Sequence, residues 1–167
     1  LLKVLHYPDK ALKLRSQEIV DGLTDASKAI IAEMILLMRT ENGVGLSAIQ
    51  VGYPFRIFIM DTSSMNGKVV GKIFVNPEIV EAATEILPYN EGCLSFPGLF
   101  AVVKRPAWVK VKARDDNFEE FELTLDGIDA VCFQHELDHL NGITFYDHLS
   151  QVKKEWLKKK MKKLGLA

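Results

Sequence analysis

Gln134-His135-Glu136-Leu137-Asp138-His139-Leu140-Asn141-Gly142 is the stretch on which the fold turns. Its histidines lie four residues apart. On an α-helix both imidazoles then share one face, one turn apart, and can reach the same metal ion. Glu136 projects about 100° away round the helix, given ~3.6 residues per turn. It flanks such a metal rather than binding it, the position a general base for a metal-activated water needs. Working outward, Asp126 stands where an N-cap belongs, and Asp129 puts an acid in the first turn. Ile128, Val131, Cys132, His135 and His139 follow an i, i+3, i+4, i+7, i+11 series, so the histidines continue the apolar face. Asn141-Gly142 supplies the stop. The metal face is therefore also the buried face. The bland alternative is two core histidines with backbone partners beside an incidental glutamate.

The chain of 167 residues is long enough for a real core and is expected to form one domain over 1–167. Its 48% hydrophobic and 26% charged residues exclude a disordered or fibrous chain. No apolar run approaches the roughly 20 residues of a membrane span. The opening Leu1-Leu2-Lys3-Val4-Leu5-His6 is too soon broken by Pro8 to serve as a signal peptide. Two cysteines, Cys93 and Cys132, make no disulfide framework, and a reducing, cytoplasmic compartment is expected. Charge is uneven. Residues 151–167 carry seven lysines against Glu155 alone, a net +6, while the preceding 150 residues carry −7. A basic tail on an acidic body points to a polyanionic partner for the tail.

Along the chain, a short helical segment is expected from Pro8 or Asp9 to about Arg15. An amphipathic helix follows from Thr24 or Asp25 to about Glu41, with Ile30, Ile31, Met34, Ile35, Leu37 and Met38 as its apolar stripe. Gly43-Val44-Gly45 permits close backbone approach by a partner strand or an extended ligand. It lacks the further residues of a phosphate-binding loop. Strands are expected at 56–60, 72–76 and 79–80. Trp108 to Arg114 and Phe118 to Leu125 read as a hairpin about Asp115-Asp116-Asn117. Asn90 to Gly98 is expected to be a shaped loop or bulge, and Ile143 to Tyr146 a short extended piece. Leu149 to about Leu164 closes the chain as a helix with Val152, Trp156, Leu157, Met161 and Leu164 facing inward. The class is α+β: antiparallel or mixed strands around a central metal-binding helix, with an N-terminal amphipathic helix and a C-terminal one.

A catalytic metal site usually takes three protein ligands and a water. Downstream candidates for the third are Asp147, His148 and Glu155. One subgroup of zinc peptidases places a histidine where this chain has Phe145. Upstream, Cys93 offers a thiolate, a strong ligand for a borderline metal, or is simply a small buried apolar residue. Cys132, three residues before His135, better suits a pocket wall.

Gly43-Val44-Gly45-Leu46-Ser47-Ala48-Ile49-Gln50, Glu91-Gly92-Cys93-Leu94-Ser95 and Gln134-His135-Glu136-Leu137-Asp138-His139 together resemble the three ordered motifs of the peptide deformylases. The similarity extends to His6-Tyr7-Pro8 and to a bacterial type of C-terminus that is helical. It implies that Cys93, His135 and His139 hold one divalent metal, ferrous iron in the cell, with zinc, nickel or cobalt as alternatives. Glu136 becomes the acid/base, and the Gln50 amide and Leu94 N–H hold the developing oxyanion. Glu91 pairs with Arg105 to brace the cysteine loop. Ser47 departs from the family's usual alanine with little expected consequence, while Tyr89 and Phe100 bear on substrate preference.

The implied reaction is hydrolysis of the N-formyl group from the first methionine of nascent peptides, with formate as product. Val44, Tyr89, Ile128, Val131 and Cys132 are expected to form the methionine slot. The peptide backbone would run along Gly43-Val44-Gly45 as an added strand. The basic C-terminal helix is either a solvated face with an apolar stripe or a surface for ribosomal RNA, the partner the resemblance implies, and no membrane partner is expected. The alternatives are a metallopeptidase that recruits a downstream third ligand, and a non-catalytic, ribosome-associated metal-binding relative.

Overall fold

The computed structural model describes residues 1–166. After a 3-10 turn at Lys10–Lys13, helix α1 (Asp25–Thr40) begins where Thr24 accepts the Ser27 N–H at 3.1 Å, satisfying one of the free donors of the first turn. A five-stranded sheet follows in the order β1 (Gly45–Ser47), β2 (Ile57–Met60), β3 (Lys72–Ala82), β6 (Trp108–Arg114), β7 (Glu120–Asp126). Its neighbouring strands are all antiparallel. Strands β4 (Ile86–Cys93) and β5 (Phe96–Pro106) form a separate antiparallel pair. Helix α2 (Gly127–Leu140) carries both histidines, and helix α3 (Gln151–Lys163) ends the fold.

Strand β2 shows why the sheet is central. Successive side chains point to opposite faces, yet all four residues of Ile57-Phe58-Ile59-Met60 are buried. Phe58 and Met60 join Phe74, Val109, Val111 and Phe133 against α2, while Ile57 and Ile59 join Ile31, Met34 and Met38 of α1. The sheet is thus covered by α2 on one face and α1 on the other. A third cluster, Phe96, Leu99, Val103, Phe145, Tyr146, Leu149, Leu157 and Met161, binds the β4–β5 hairpin to α3.

Several local expectations change. Of the two readings of Asn90 to Gly98, a shaped loop or a bulge, the structure has the second: the stretch is the tip of the β4–β5 hairpin, with a register shift at Gly92/Cys93. Pro97, Gly98 and Pro106 mask β5 in the sequence, because proline and glycine ordinarily argue against a strand. The runs at 72–76 and 79–80 are one strand, irregular where Asn76 takes φ +49°. Residues 145–148 form a 3-10 turn rather than an extended piece, because Asp147 accepts the Thr144 N–H at 2.9 Å. On α3 only Leu157 and Met161 are buried; Val152, Trp156 and Leu164 face outward, Trp156 beneath the Lys160 ammonium at 4.0 Å. Asp126 occupies the N-cap position of α2 without a side-chain cap bond. Asp129, buried, instead holds the 62–69 loop through the Lys68 N–H at 2.9 Å and the Thr62 hydroxyl. Among the described residues no helix is long and apolar enough to cross a membrane.

The C-terminal end of α2 is fastened by several donors. The Leu140 carbonyl accepts from Arg56 Nη1 at 3.0 Å and from Ser16 N–H at 2.8 Å. Gly142 follows at φ +74°, and a Cβ there would collide with the Lys13 carbonyl oxygen. Gly142→Ala should therefore destabilise by about 1–3 kcal/mol. For a chain of this size the melting temperature should fall roughly 2–4 °C for each kcal/mol. Thermal unfolding checks this, and an unchanged midpoint would contradict it.

Candidate metal centre and cleft

The centre is assembled from helix α2 and the tip of the β4–β5 hairpin. Cys93 Sγ lies 3.3 Å from His139 Nε2, and one ligand atom from each of Cys93, His135 and His139 falls within 4.8 Å of the others. Donors ~2.0–2.3 Å from one tetrahedral ion stand roughly 3–4 Å apart, so the group lies near the spacing that one divalent metal needs. Glu136 is not in that group. The downstream candidates are engaged elsewhere: Asp147 caps the 3-10 turn, His148 contacts Asp138 at 2.8 Å, and Glu155 lies exposed on α3.

One buried carboxylate orients the set. Glu91 accepts Arg105 Nε at 2.6 Å and Nη2 at 3.0 Å, the expected ion pair, and its Oε1 also stands 2.9 Å from His135 Nδ1. With Nδ1 so engaged, Nε2 of His135 is the nitrogen left to bind, which is the usual arrangement of a metal-bound imidazole. Arg105 reaches further, donating Nη1 to Asp138 Oδ2 at 2.9 Å. Sequence reasoning did not find the Glu91–His135 and Arg105–Asp138 contacts, since neither spacing nor periodicity links a hairpin to a helix.

Electrostatics agree. Burial pushes the Glu91 carboxyl up, but His135 and Arg105 outweigh it and hold it below its ordinary value. Burial alone would depress His135. Cys93 and the Glu91 carboxylate instead raise it well above its ordinary value. Surroundings that favour a proton there also favour a divalent cation. Burial, with the charges of His135 and Arg105, drives His139 well below its ordinary value and keeps it neutral. Cys132 is pushed far up by burial and neighbouring carboxylates, so it remains a thiol and an inert wall. Burial raises Glu136, and His135 and the Ser47 hydroxyl offset this only in part.

Gln50 enters from the 3-10 turn after β1. Its Oε1 accepts the Ser47 N–H at 2.9 Å; its Nε2 donates to Ser95 Oγ at 3.1 Å and points at Cys93 Sγ, 3.6 Å away. The N-terminal segment straps the two loops together, Leu5 N–H donating to the Gln50 carbonyl at 2.7 Å and Tyr7 N–H to that of Ser95 at 2.9 Å. Beside the centre opens a cleft of about 520 Å³, lined by Gly43, Val44, Gly45, Tyr89, Leu94, Ile128, Val131 and Cys132 among others. Every residue expected to contact substrate borders this one space. Phe100 stands at the cleft, its ring over Gly92. Gly45 is required sterically: a Cβ there would lie 2.6 Å from Glu136 Oε2 and 2.8 Å from Cys132 Sγ.

The family model described as "Polypeptide deformylase" matches residues 1–155. Among named proteins, the chain is similar to a peptide deformylase of Chromobacterium violaceum, 45% identical over 163 residues, covering 98% of this chain and 95% of that protein. Among solved structures it is similar to a peptide deformylase of Legionella pneumophila (TM-score 0.91, 36% identical, 99% of this chain and 95% of that one). The Ehrlichia chaffeensis peptide deformylase solved in complex with actinonin is similar at TM-score 0.88 and 35% identity, covering 98% and 96%.

Because Glu91 fixes the His135 ring, Glu91→Gln should weaken zinc binding about 10- to 100-fold. Competition against a chromogenic chelator measures this directly. An unchanged affinity would remove Glu91 from the support of the centre.

Proposed function

The chain belongs to the polypeptide deformylase family, and we propose that its cleft removes the N-formyl group from the first methionine of newly made peptides, releasing formate. The observation that supports this is the company the two histidines keep. Cys93 of the hairpin, with the Gln50 amide against it, stands beside them, and no acid or histidine after α2 does among the described residues. We assign Cys93, His135 and His139 as ligands of ferrous iron in the cell; a thiolate and two imidazoles also accept zinc, nickel and cobalt.

A divalent ion held there would supply Lewis acidity and lower the pKa of a water. Glu136, buried and with a raised pKa, is suited to take the water's proton as the bond to the formyl carbon forms. It then passes that proton to the leaving amine. Gln50 Nε2 and the Leu94 backbone N–H donate to the oxygen on which charge develops. Loss of one such donor typically costs ~10²–10³ in rate. Val44, Tyr89, Ile128, Val131 and Cys132 supply the apolar slot for methionine. Gly43-Val44-Gly45 leads into β1, an edge of the five-stranded sheet, where an extended peptide can add as a strand whatever its side chains.

Anaerobic reconstitution with iron, nickel and zinc in parallel, followed by a formate assay on formyl-Met peptides, tests the activity. Formate release is expected, and Cys93→Ala should abolish both metal binding and turnover. Absence of formate with all three metals would overturn the assignment, and an active, metallated Cys93→Ala would favour an internal-bond peptidase.

In the cytoplasm, α3 is proposed to meet ribosomal RNA through its lysines. Leu157 and Met161 belong to the core, so deleting the helix would confuse docking with folding. Lys158, Lys159, Lys162 and Lys163 are exposed. Their joint replacement by glutamate should abolish salt-dependent co-sedimentation with ribosomes and leave formate release intact. Co-sedimentation that survives the replacement would sink the docking.

A further inference from the structure

We propose that Ser47 is a positioning residue that gives the two oxygens of Glu136 different tasks: Oε1 is anchored, and Oε2 alone carries the proton. This rests on the assignment of Glu136 as the base. Ser47 is fully buried, and its Oγ lies 2.9 Å from Glu136 Oε1 and 3.1 Å from the Glu136 backbone carbonyl oxygen. A hydroxyl has one proton to donate, and an ionised carboxylate attracts it more strongly than a carbonyl does. Among the described residues, Ser47 is the only one that hydrogen-bonds the Glu136 side chain.

The second oxygen faces a different neighbour. Oε2 lies against Gly45, where even a methyl group would intrude to 2.6 Å, and Gly45 borders the cleft. The carboxylate is therefore asymmetric, with Oε1 hydrogen-bonded to Ser47 and Oε2 packed against Gly45 without a hydrogen-bond partner among the described residues. Oε1 can accept the Ser47 proton whether Glu136 is ionised or carries a proton on Oε2. The proton taken from water can then reside on Oε2 and leave from Oε2 to the amine, while Ser47 keeps its own proton throughout. No rotation of the carboxyl group is needed between the two transfers. The same residue orients the oxyanion donor, since its backbone N–H holds Gln50 Oε1 at 2.9 Å. Base and amide are thereby set from one point on the chain.

The test compares Ser47→Ala with Ser47→Thr, which keeps a hydroxyl at the same carbon. A hydrogen bond to a charged group is of a size that predicts about a 10- to 100-fold fall in kcat for Ser47→Ala. KM, bound metal and melting temperature should remain close to the parent's, and Ser47→Thr should recover most of the loss. A change in KM alone, an unchanged kcat, or a loss explained by metal release or unfolding would each overturn the proposal. Crystal structures of the variants give a readout independent of the substrate, so a failed formate assay would not leave the question open. The Glu136 carboxylate should be displaced or split between conformers in Ser47→Ala and return to one position in Ser47→Thr. A single, unmoved carboxylate in Ser47→Ala would sink the idea whatever reaction the cleft performs.

Discussion

A carboxylate buried among cations holds this molecule's working parts together. Glu91 sits on the hairpin, Arg105 on the strand beside it, and His135 on the helix behind. Burying a charge in this way costs several kcal/mol, so the triad is not a source of stability in itself. Its value lies in direction. A bidentate Arg–carboxylate pair fixes the plane of the acid, and that plane fixes the imidazole ring. Through Asp138, Arg105 also grips the helix one residue before the second histidine. Any shift of the hairpin relative to α2 would leave a buried charge unpaired, and this keeps Cys93 opposite the histidines.

The rest of the site is arranged by exclusion and close contact. Gly45 lets the strand approach within reach of Glu136 and Cys132, where any side chain would intrude. Position and burial separate two cysteines: Cys93 stands beside the two histidines, while Cys132, pushed towards its protonated form, remains wall. Burial depresses both histidines alike, and their charged neighbours separate them: anionic groups raise His135, while His135 and Arg105 lower His139 further. Side chains of one type thus do different work according to their neighbours.

Much of this was legible in the sequence where periodicity or spacing carried the information. The two long helices and the 115–117 hairpin turn follow local rules, and the Cys-His-His set follows from three motifs taken together. The hairpin at 86–106 was not legible, because Pro97, Gly98 and Pro106 speak against a strand, and only its partner and the α3 cluster overrule them. The outward face of α3 was misjudged for a related reason. Val152 and Trp156 fit an apolar stripe, but the hairpin meets only Leu157 and Met161. Ser47 reads locally as a harmless departure; its hydroxyl bond to Glu136 spans 89 positions, beyond any local pattern.

The sheet order, which passes from β3 directly to β6, leaves the β4–β5 hairpin as a local excursion between sheet neighbours. Such a hairpin can form within microseconds from residues close along the chain. The metal centre is different in kind. Cys93 and His139 lie 46 positions apart, and closing so long a loop costs entropy before any contact repays it. Cysteine and histidines lie on different elements and meet only where hairpin and helix dock. An ion captured at that moment would work as a clasp on the folding chain, and its binding energy would become part of the energy of docking.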